Sequence, residues 1–385
     1  MGRMQWKGLA RVALVGLIGL GACNAILGNE EIDFVAADGS APGPSDAALD
    51  AGADAADACP SDLQTNGEHC GRCGRSCGGS SCRDGACAPQ LLTQGYGVVR
   101  RLAVDDDALY FTSTDQQLLG RMAKDGGVVS FLEPDGGLIV PSAGLVVDGA
   151  FVYASAVYGA GVRRIPKTGG AAETIEKCNT TYGVALDATH VYWHLSLCGG
   201  EVRVRRRAKN VLDETLTEEE AAPRPGGAFA QELGGDIVVD DSRVYWMSLV
   251  RIMSLPKIGF TDAGVAVLFD RPDGGVDLLR GLAVADRLYV LMGERVIAVP
   301  KGGGDASVLA DAPATGDNKP ATLVLAGSDV YFTRPAKGIV ARVPMGGGPV
   351  ETIASGQPTP SALTVDAQFV YWSNDSDGSI WRVAR

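Results

Sequence analysis

Histidine is scarce in this chain. Three occur in 385 residues, and only His190 and His194 lie beyond residue 89. Four residues of extended chain hold these two about 13 Å apart, so they cannot share one proton or one metal. No Gly-x-Ser-x-Gly elbow, His-Glu-x-x-His pair or Gly-x-x-x-x-Gly-Lys phosphate loop occurs, which removes the usual sequence grounds for a serine esterase, a zinc protease or a nucleotide hydrolase. Asp375-Ser-Asp-Gly378 lacks the later glutamate of a calcium loop and reads as a tight turn. No cofactor or metal site is therefore expected. Basic charge is also in deficit, with 34 Lys and Arg against 46 Asp and Glu. Such a chain repels polyanions, and no basic stripe with interleaved aromatics offsets this, so nucleic acid is not an expected partner. The most apolar run, Val12 to Ala22, is 11 residues long and too short to cross a bilayer core of about 30 Å as a helix.

What the chain does have is a repeat. An apolar run ending in Val-Asp or a close variant, followed by a Val-Tyr run, occurs seven times, with tyrosines at Tyr110, Tyr153, Tyr192, Tyr245, Tyr289, Tyr331 and Tyr371. A period of about 40 residues filled with short β-branched and aromatic runs, each bounded by Gly, Pro or Asp, marks a repeat of small sheets. One interval, from Tyr192 to Tyr245, is longer and carries an insertion. Each period reads as four strands, which cannot bury both faces alone and must stack on the next copy. The last copy stops one strand short at Arg385, and Pro89 to Gly95 matches the missing fourth strand. The expectation is an all-β, seven-bladed β-propeller over residues 89–385, its last blade closed by one N-terminal and three C-terminal strands. Trp193, Trp246 and Trp372 share one repeat position and should pack between blades. Asp105, Asp148, Asp187, Asp240 and Asp366 follow the first strands and should cap their own turns rather than ligate metal. Between the third and fourth blades, Arg203, Arg205, Arg206, Arg207 and Lys209 precede Asp213, Glu214 and Glu218 to Glu220, a run expected to form a solvated, self-compensating excursion.

The chain ahead of the propeller divides in three. Residues 1–22 are a charged-then-apolar leader, with Arg3, Lys7 and Arg11 before the apolar run. It ends in Leu20-Gly-Ala-Cys23, which resembles the bacterial lipobox. That resemblance implies acylation of Cys23, a membrane lipid anchor and a cell-envelope address; Asn24 rather than Asp at the next position favours the outer membrane. Residues 23–58 are rich in Ala, Asp, Gly and Pro and form an acidic, flexible tether spanning about 25–30 Å. Residues 59–88 hold Cys59, Cys70, Cys73, Cys77, Cys82 and Cys87. Cys70-Gly-Arg-Cys73 has zinc-ligand spacing, but in an exported chain an even, dense set reads as a disulfide module of undetermined connectivity.

Lipobox, tether, the Cys-Gly-x-Cys knot and the Val-Tyr-Trp runs together resemble envelope lipoproteins of the myxobacterial type carrying a YWTD/NHL-like β-propeller. That resemblance implies location and architecture more than chemistry. Two cysteines remain. Cys178 precedes the first strand of the third blade and Cys198 follows its second strand, so both fall on one face and are expected to pair.

Departures from the repeat mark the candidate site. Just before the first-strand apolar run stand Gly144, Gly183, Gly281, Thr322 and Ala362, but Arg101 and Asp236 in the other two copies. Arg280, Tyr182, His194, Arg334 and Asp375 lie in connections expected on the same face. The mouth of the ring is thus a candidate binding site for a small polar ligand, a glycan or a loop of an envelope protein. The favoured function is non-catalytic recognition by a tethered propeller. The alternative is a hydrolase or lyase at the mouth, since the repeat is also similar to the propellers of lactonases and streptogramin lyase.

Overall fold

The computed structural model describes residues 60–133, 142–156, 161–178, 181–195, 203–210, 219–221, 234–271, 277–312 and 319–385. The leader with Cys23, the tether, Cys59 and Cys198 lie outside them. Seven four-stranded antiparallel sheets follow one another around a ring, and the seventh is built from Pro360–Val365, Phe369–Asn374, Ser379–Ala384 and Gln90–Thr93. In that sheet Gln90 pairs with Arg382, Leu91 with Trp381 and Thr93 with Ile380, so the two ends of the chain close the ring. The expected seven-bladed β-propeller is the fold.

The second strands show why these sequences need neighbours. Leu109–Ser113 is buried at all five positions, and Phe369–Asn374 at all but the first. Both sheet faces are covered, which removes the usual apolar–polar alternation. Trp193, Trp246 and Trp372 are each 0 % exposed and sit in clusters that join adjacent blades.

Charge fastens the blades on the face that carries the turns between first and second strands. The Asp148 Oδ1 accepts the backbone N–H groups of Ala150 and Phe151, while its Oδ2 accepts the Tyr153 hydroxyl at 2.9 Å. Lys209 of the next blade approaches the same carboxylate at 3.2 Å. The set recurs with Lys167 on Asp105 (2.6 Å), Lys257 on Asp187 (2.7 Å), Lys301 on Asp240 (2.8 Å) and Lys124 on Asp366 (3.1 Å), the last joining the first and seventh blades. The turn-capping role expected of these aspartates holds, and the lysine clasp adds to it. Between the fifth and sixth blades both partners are replaced: Ala285 stands for Asp and Met345 for Lys, and the two join one apolar cluster. Between the sixth and seventh, Ala326 stands for Asp and Arg385 Nε donates directly to the Tyr331 hydroxyl at 2.8 Å.

The arginine run after residue 202 departs from expectation. Arg203–Ala208 is the third strand of the third blade, with Arg207 7 % exposed. Arg206 pairs with Tyr192 across the sheet and donates to the Lys257 carbonyl at 2.7 Å, and Arg205 meets Glu176 at 2.6 Å. The reason is that a third-strand arginine opposite the tyrosine is itself part of the repeat, as Arg164 and Arg382 show by donating to the Lys209 and Lys124 carbonyls. The acidic half of the run falls largely outside the described residues.

The cysteine segment packs beneath the seventh blade, in one cluster with Val370, Trp372 and Ala384. Two disulfides form, Cys70–Cys82 and Cys77–Cys87, with Cα separations of 5.6 and 5.3 Å. The sulfurs of Cys70, Cys77 and Cys87 lie together but are all committed to these bridges. Cys73 corrects the expectation of a fully bridged set. It is a free, exposed thiol on the turn that carries Arg72 and Arg75, outside the small core the bridges close. Arg72 and Arg75 donate to the carbonyls of Arg385 and Ala384, and Arg382 donates to the Gly78 carbonyl at 3.2 Å. A Cβ on Gly78, whose φ is +58°, would lie 2.4 Å from the Phe369 ring, so the close approach needs glycine. Cys178 is disulfide-bonded; its expected partner Cys198 lies outside the described residues.

Candidate functional site: the axial cavity

First strands begin at the opposite face from the lysine clasps, and there the ladder slips. A register shift between first and second strands recurs at Val99/Arg101, Ser142/Gly144, Thr181/Val184, Gly234/Ile237, Arg280/Leu282 and Pro360/Leu363. Each bulge places an extra residue at the rim, which is how a sheet re-aims a side chain. The next blade crosses close by. A Cβ on Gly281, at φ +52°, would meet the Leu323 nitrogen at 2.8 Å.

These starts enclose an axial cavity of about 280 Å³ to which all seven blades contribute. Arg100 and Arg101 come from the first blade, Tyr182 from the third, Asp236 from the fourth and Arg280 from the fifth. Four of the seven expected mouth residues are thus brought together. The two that replaced small residues in the repeat meet across the axis: Arg101 Nη2 donates to Asp236 Oδ1 at 3.0 Å, and Arg101 Nε to the Ala143 carbonyl at 2.8 Å. Burial draws the Arg280 guanidinium below its ordinary pKa; Asp236 counters this, while Arg101 and Arg100 add repulsion. Three guanidinium groups therefore sense one another in one small space.

Arg100 escaped sequence reasoning. It precedes the aligned repeat position, and only the bulge carries it to the rim. Arg100 Nη1 bonds Asp375 Oδ2 at 2.8 Å, and Asp375 Oδ1 accepts the Ser361 hydroxyl at 2.5 Å. Burial raises the Asp375 carboxyl despite the opposing effects of Ser361 and Arg100.

Asp375, behind Arg100, lies outside the lining, and so do His194 and Arg334. His194 is fully buried, packs 6.0 Å from the Tyr182 ring and has no hydrogen-bond partner on either ring nitrogen. Burial pushes its pKa down to about 4, so the ring is neutral at physiological pH. Arg334 is 6 % exposed and donates to the carbonyls of Glu294 and Asp311, which ties the fifth and sixth blades together. Both side chains point into blade packing rather than the axis, a direction that strand position alone did not reveal.

No protein-family model and no curated protein matches this chain. Among solved structures it is similar to virginiamycin B lyase from Staphylococcus aureus, at 13 % identity and TM-score 0.59 over 77 % of this chain and 98 % of that one. A catalytically inactive form of the same lyase with quinupristin aligns at 14 % identity and TM-score 0.60 over 77 % and 98 %. A computationally designed protein follows at 12 % identity and TM-score 0.51 over 77 % and 98 %. Identities this low speak to the fold alone, and they agree with the seven-sheet ring.

Proposed function

We propose that this chain is an envelope lipoprotein, anchored through Cys23, whose propeller binds a small anionic ligand at its axial cavity without transforming it. One observation carries the binding reading. Among the described residues, the lining gathers three guanidinium groups, those of Arg100, Arg101 and Arg280, with one carboxylate, Asp236, in the lining and Asp375 behind Arg100. Guanidinium groups gathered at a partly screened rim attract an anion more strongly than the same groups spread over an open surface. This is selective, because the protein as a whole is acidic.

A lyase or hydrolase, suggested by the similarity to virginiamycin B lyase, needs a group free to take a proton. Asp236 is held by Arg101 at 3.0 Å, and the nitrogens of His194 are buried away from the lining. Both features favour retention of a ligand over proton transfer.

The test is to purify the intact chain from membranes and identify co-purifying small molecules by mass spectrometry. An anion retained by the parent and lost from an Arg101→Gln/Arg280→Gln variant is the expected result. A neutral glycan retained equally by both would sink the reading. Separately, a Cys23→Ala chain that still incorporates labelled fatty acid would remove the anchor.

A further inference from the structure

We infer that Asp236 is a built-in competitor at this site: its carboxylate occupies Arg101, and an oxyanion with at least two oxygens on one centre binds by taking its place. The inference rests on the anion-binding reading above and adds what sets the affinity of that site. Three features of the rim support it.

The first is that the contact is made at one point. Arg101 Nη2 donates to Asp236 Oδ1 at 3.0 Å, while Arg101 Nη1 and Asp236 Oδ2 take no bond among the described residues. Arg101 Nε is tied separately to the Ala143 carbonyl at 2.8 Å, so the guanidinium keeps an anchor whichever acceptor its outer nitrogens meet. A carboxylate or phosphate that spans both outer nitrogens makes two parallel bonds where Asp236 makes one. The paired geometry is the stronger.

The second is that letting go costs little. The side chains of Arg101 and Asp236 are 30 % and 24 % exposed, so a released Asp236 carboxylate meets water. Ion pairs this exposed are weak, whereas breaking a fully buried one would strand a charge. Asp236 also lies where the first strand of the fourth blade slips against the second, between Gly234 and Ile237, and has no register partner there.

The third is the contrast with the other carboxylate of the rim. Asp375 uses both oxygens, Oδ2 on Arg100 at 2.8 Å and Oδ1 on the Ser361 hydroxyl at 2.5 Å. It is 14 % exposed and lies outside the lining, which makes it a fixed support for Arg100. Asp236 lies inside the lining, and its charge acts on Arg280 as well as Arg101, opposing the fall that burial imposes on the Arg280 pKa. Its negative charge is thus shared by two guanidinium groups, as that of a bound anion would be. Asp236 is the carboxylate placed to be exchanged.

The experiment is isothermal titration calorimetry of the full chain at pH 7 and low salt, with inorganic phosphate, acetate and chloride as probes. Four chains are compared: the parent, Asp236→Asn, Arg101→Gln and the double variant. Asp236→Asn is expected to bind phosphate and acetate about fivefold more tightly, the affinity that a partly exposed ion pair withholds. A damaged fold cannot produce such a gain. Arg101→Gln should weaken phosphate about tenfold at an unchanged urea midpoint, the usual effect of losing a charged hydrogen bond. In that background the gain from Asp236→Asn should shrink to twofold or less, because no bond to Arg101 is left to displace. Chloride, a single atom that cannot span two nitrogens, should bind at least tenfold more weakly than phosphate.

A parent that binds phosphate and an Asp236→Asn chain that binds it no more tightly would overturn the competition and leave the anion site in place. An equal gain with and without Arg101 would reduce Asp236 to general repulsion and overturn the displacement. Chloride matching phosphate would overturn the oxyanion class. If no probe binds to any of the four chains, the anion-binding reading falls together with this one.

Discussion

On the face that carries the turns between first and second strands, carboxylate, phenol and ammonium recur as a set: Asp105, Tyr110 and Lys167, then Asp148, Tyr153 and Lys209, and onward to Asp366, Tyr371 and Lys124. On the opposite face Arg101, Asp236 and Arg280 occur once each and converge on the axis. A charge repeated with the period is part of what holds one blade to the next. A charge that breaks the period at the rim takes no part in that repeated set, and under the proposed function it is what a ligand meets. Substitutions on the first face should therefore change stability and spare binding, and those on the second should do the reverse.

The largest effect is expected where the repeated set is cut. Asp187→Ala removes the acceptor for the Thr189 and His190 N–H groups, the Tyr192 hydroxyl and the Lys257 ammonium at once. Two capping bonds and a half-buried charged pair together contribute about 3 kcal/mol, measurable as a lowered urea midpoint. Retention of an anion at the axial cavity should stay unchanged. Burial alone would raise the Asp187 carboxyl, but Lys257, Tyr192 and the turn N–H groups outweigh it and hold the group well below its usual pKa. Its stabilising effect is therefore complete above the unfolded value near 3.8 and is lost as pH falls below that.

A second acid-sensitive group sits behind the other face, in a different window. His194 has a folded pKa of about 4 against an ordinary value of 6.5. The unfolded chain then binds more protons between those values, so its contribution is intact above pH 6.5 and erodes as pH falls toward 4. The loss reaches about 3 kcal/mol at pH 4. His194→Phe should flatten the stability profile between pH 6.5 and 4 while leaving the steeper fall below pH 4 in place. A profile unchanged by this substitution would mean that His194 finds a partner when charged.

These residues also show how far the sequence could be read. The ring, its seven blades and its closure through Leu91 were legible because period, turn aspartates and strand residues repeat every 40 residues or so. The lysine clasps were not, because each partner sits in the next period, 70 residues on for Asp187 and Lys257, and 61 for Asp240 and Lys301. The signal was present in Pro166-Lys167, Pro256-Lys257 and Pro300-Lys301, each at the end of a third strand. At the rim, Arg101 and Asp236 were legible as exceptions to a small-residue position. Arg100 was not singled out, although it stands at the repeat position that Tyr182 and Arg280 hold in other blades. Neither was the inward turn of His194 and Arg334, which depends on which sheet face a strand end presents.

The fifth and sixth blades offer a smaller test of the repeated face. Ala285 and Met345 replace the ionic pair with an apolar contact, and Tyr289 turns its hydroxyl to Asp286 at 2.7 Å instead. Ala285→Asp alone places a carboxylate against Met345, and Met345→Lys alone places an ammonium against Ala285. Each should destabilise by about 1–2 kcal/mol. Together they rebuild the clasp seen at five other junctions, and the double-mutant cycle should return a favourable coupling of about 1 kcal/mol. A coupling of zero would show that the clasp needs its own turn geometry as well as its two charges.

The smallest stability effect, and the sharpest separation of the faces, is expected from reversing the cross-axis pair. Arg101 and Asp236 are partly solvated, at 30 % and 24 % side-chain exposure, so exchanging them as Arg101→Asp with Asp236→Arg should move the unfolding free energy by less than about 1 kcal/mol. The exchange keeps the net charge of the cavity but moves the guanidinium from the first blade to the fourth, away from the Ala143 carbonyl that orients it. The first blade then presents a carboxylate to the cavity in place of a cation, and an anion retained by the parent chain should be lost at nearly constant urea midpoint. If the exchanged chain instead unfolds readily, the rim charges are fastening the ring just as the lysine clasps do, and the two faces differ in arrangement but not in purpose.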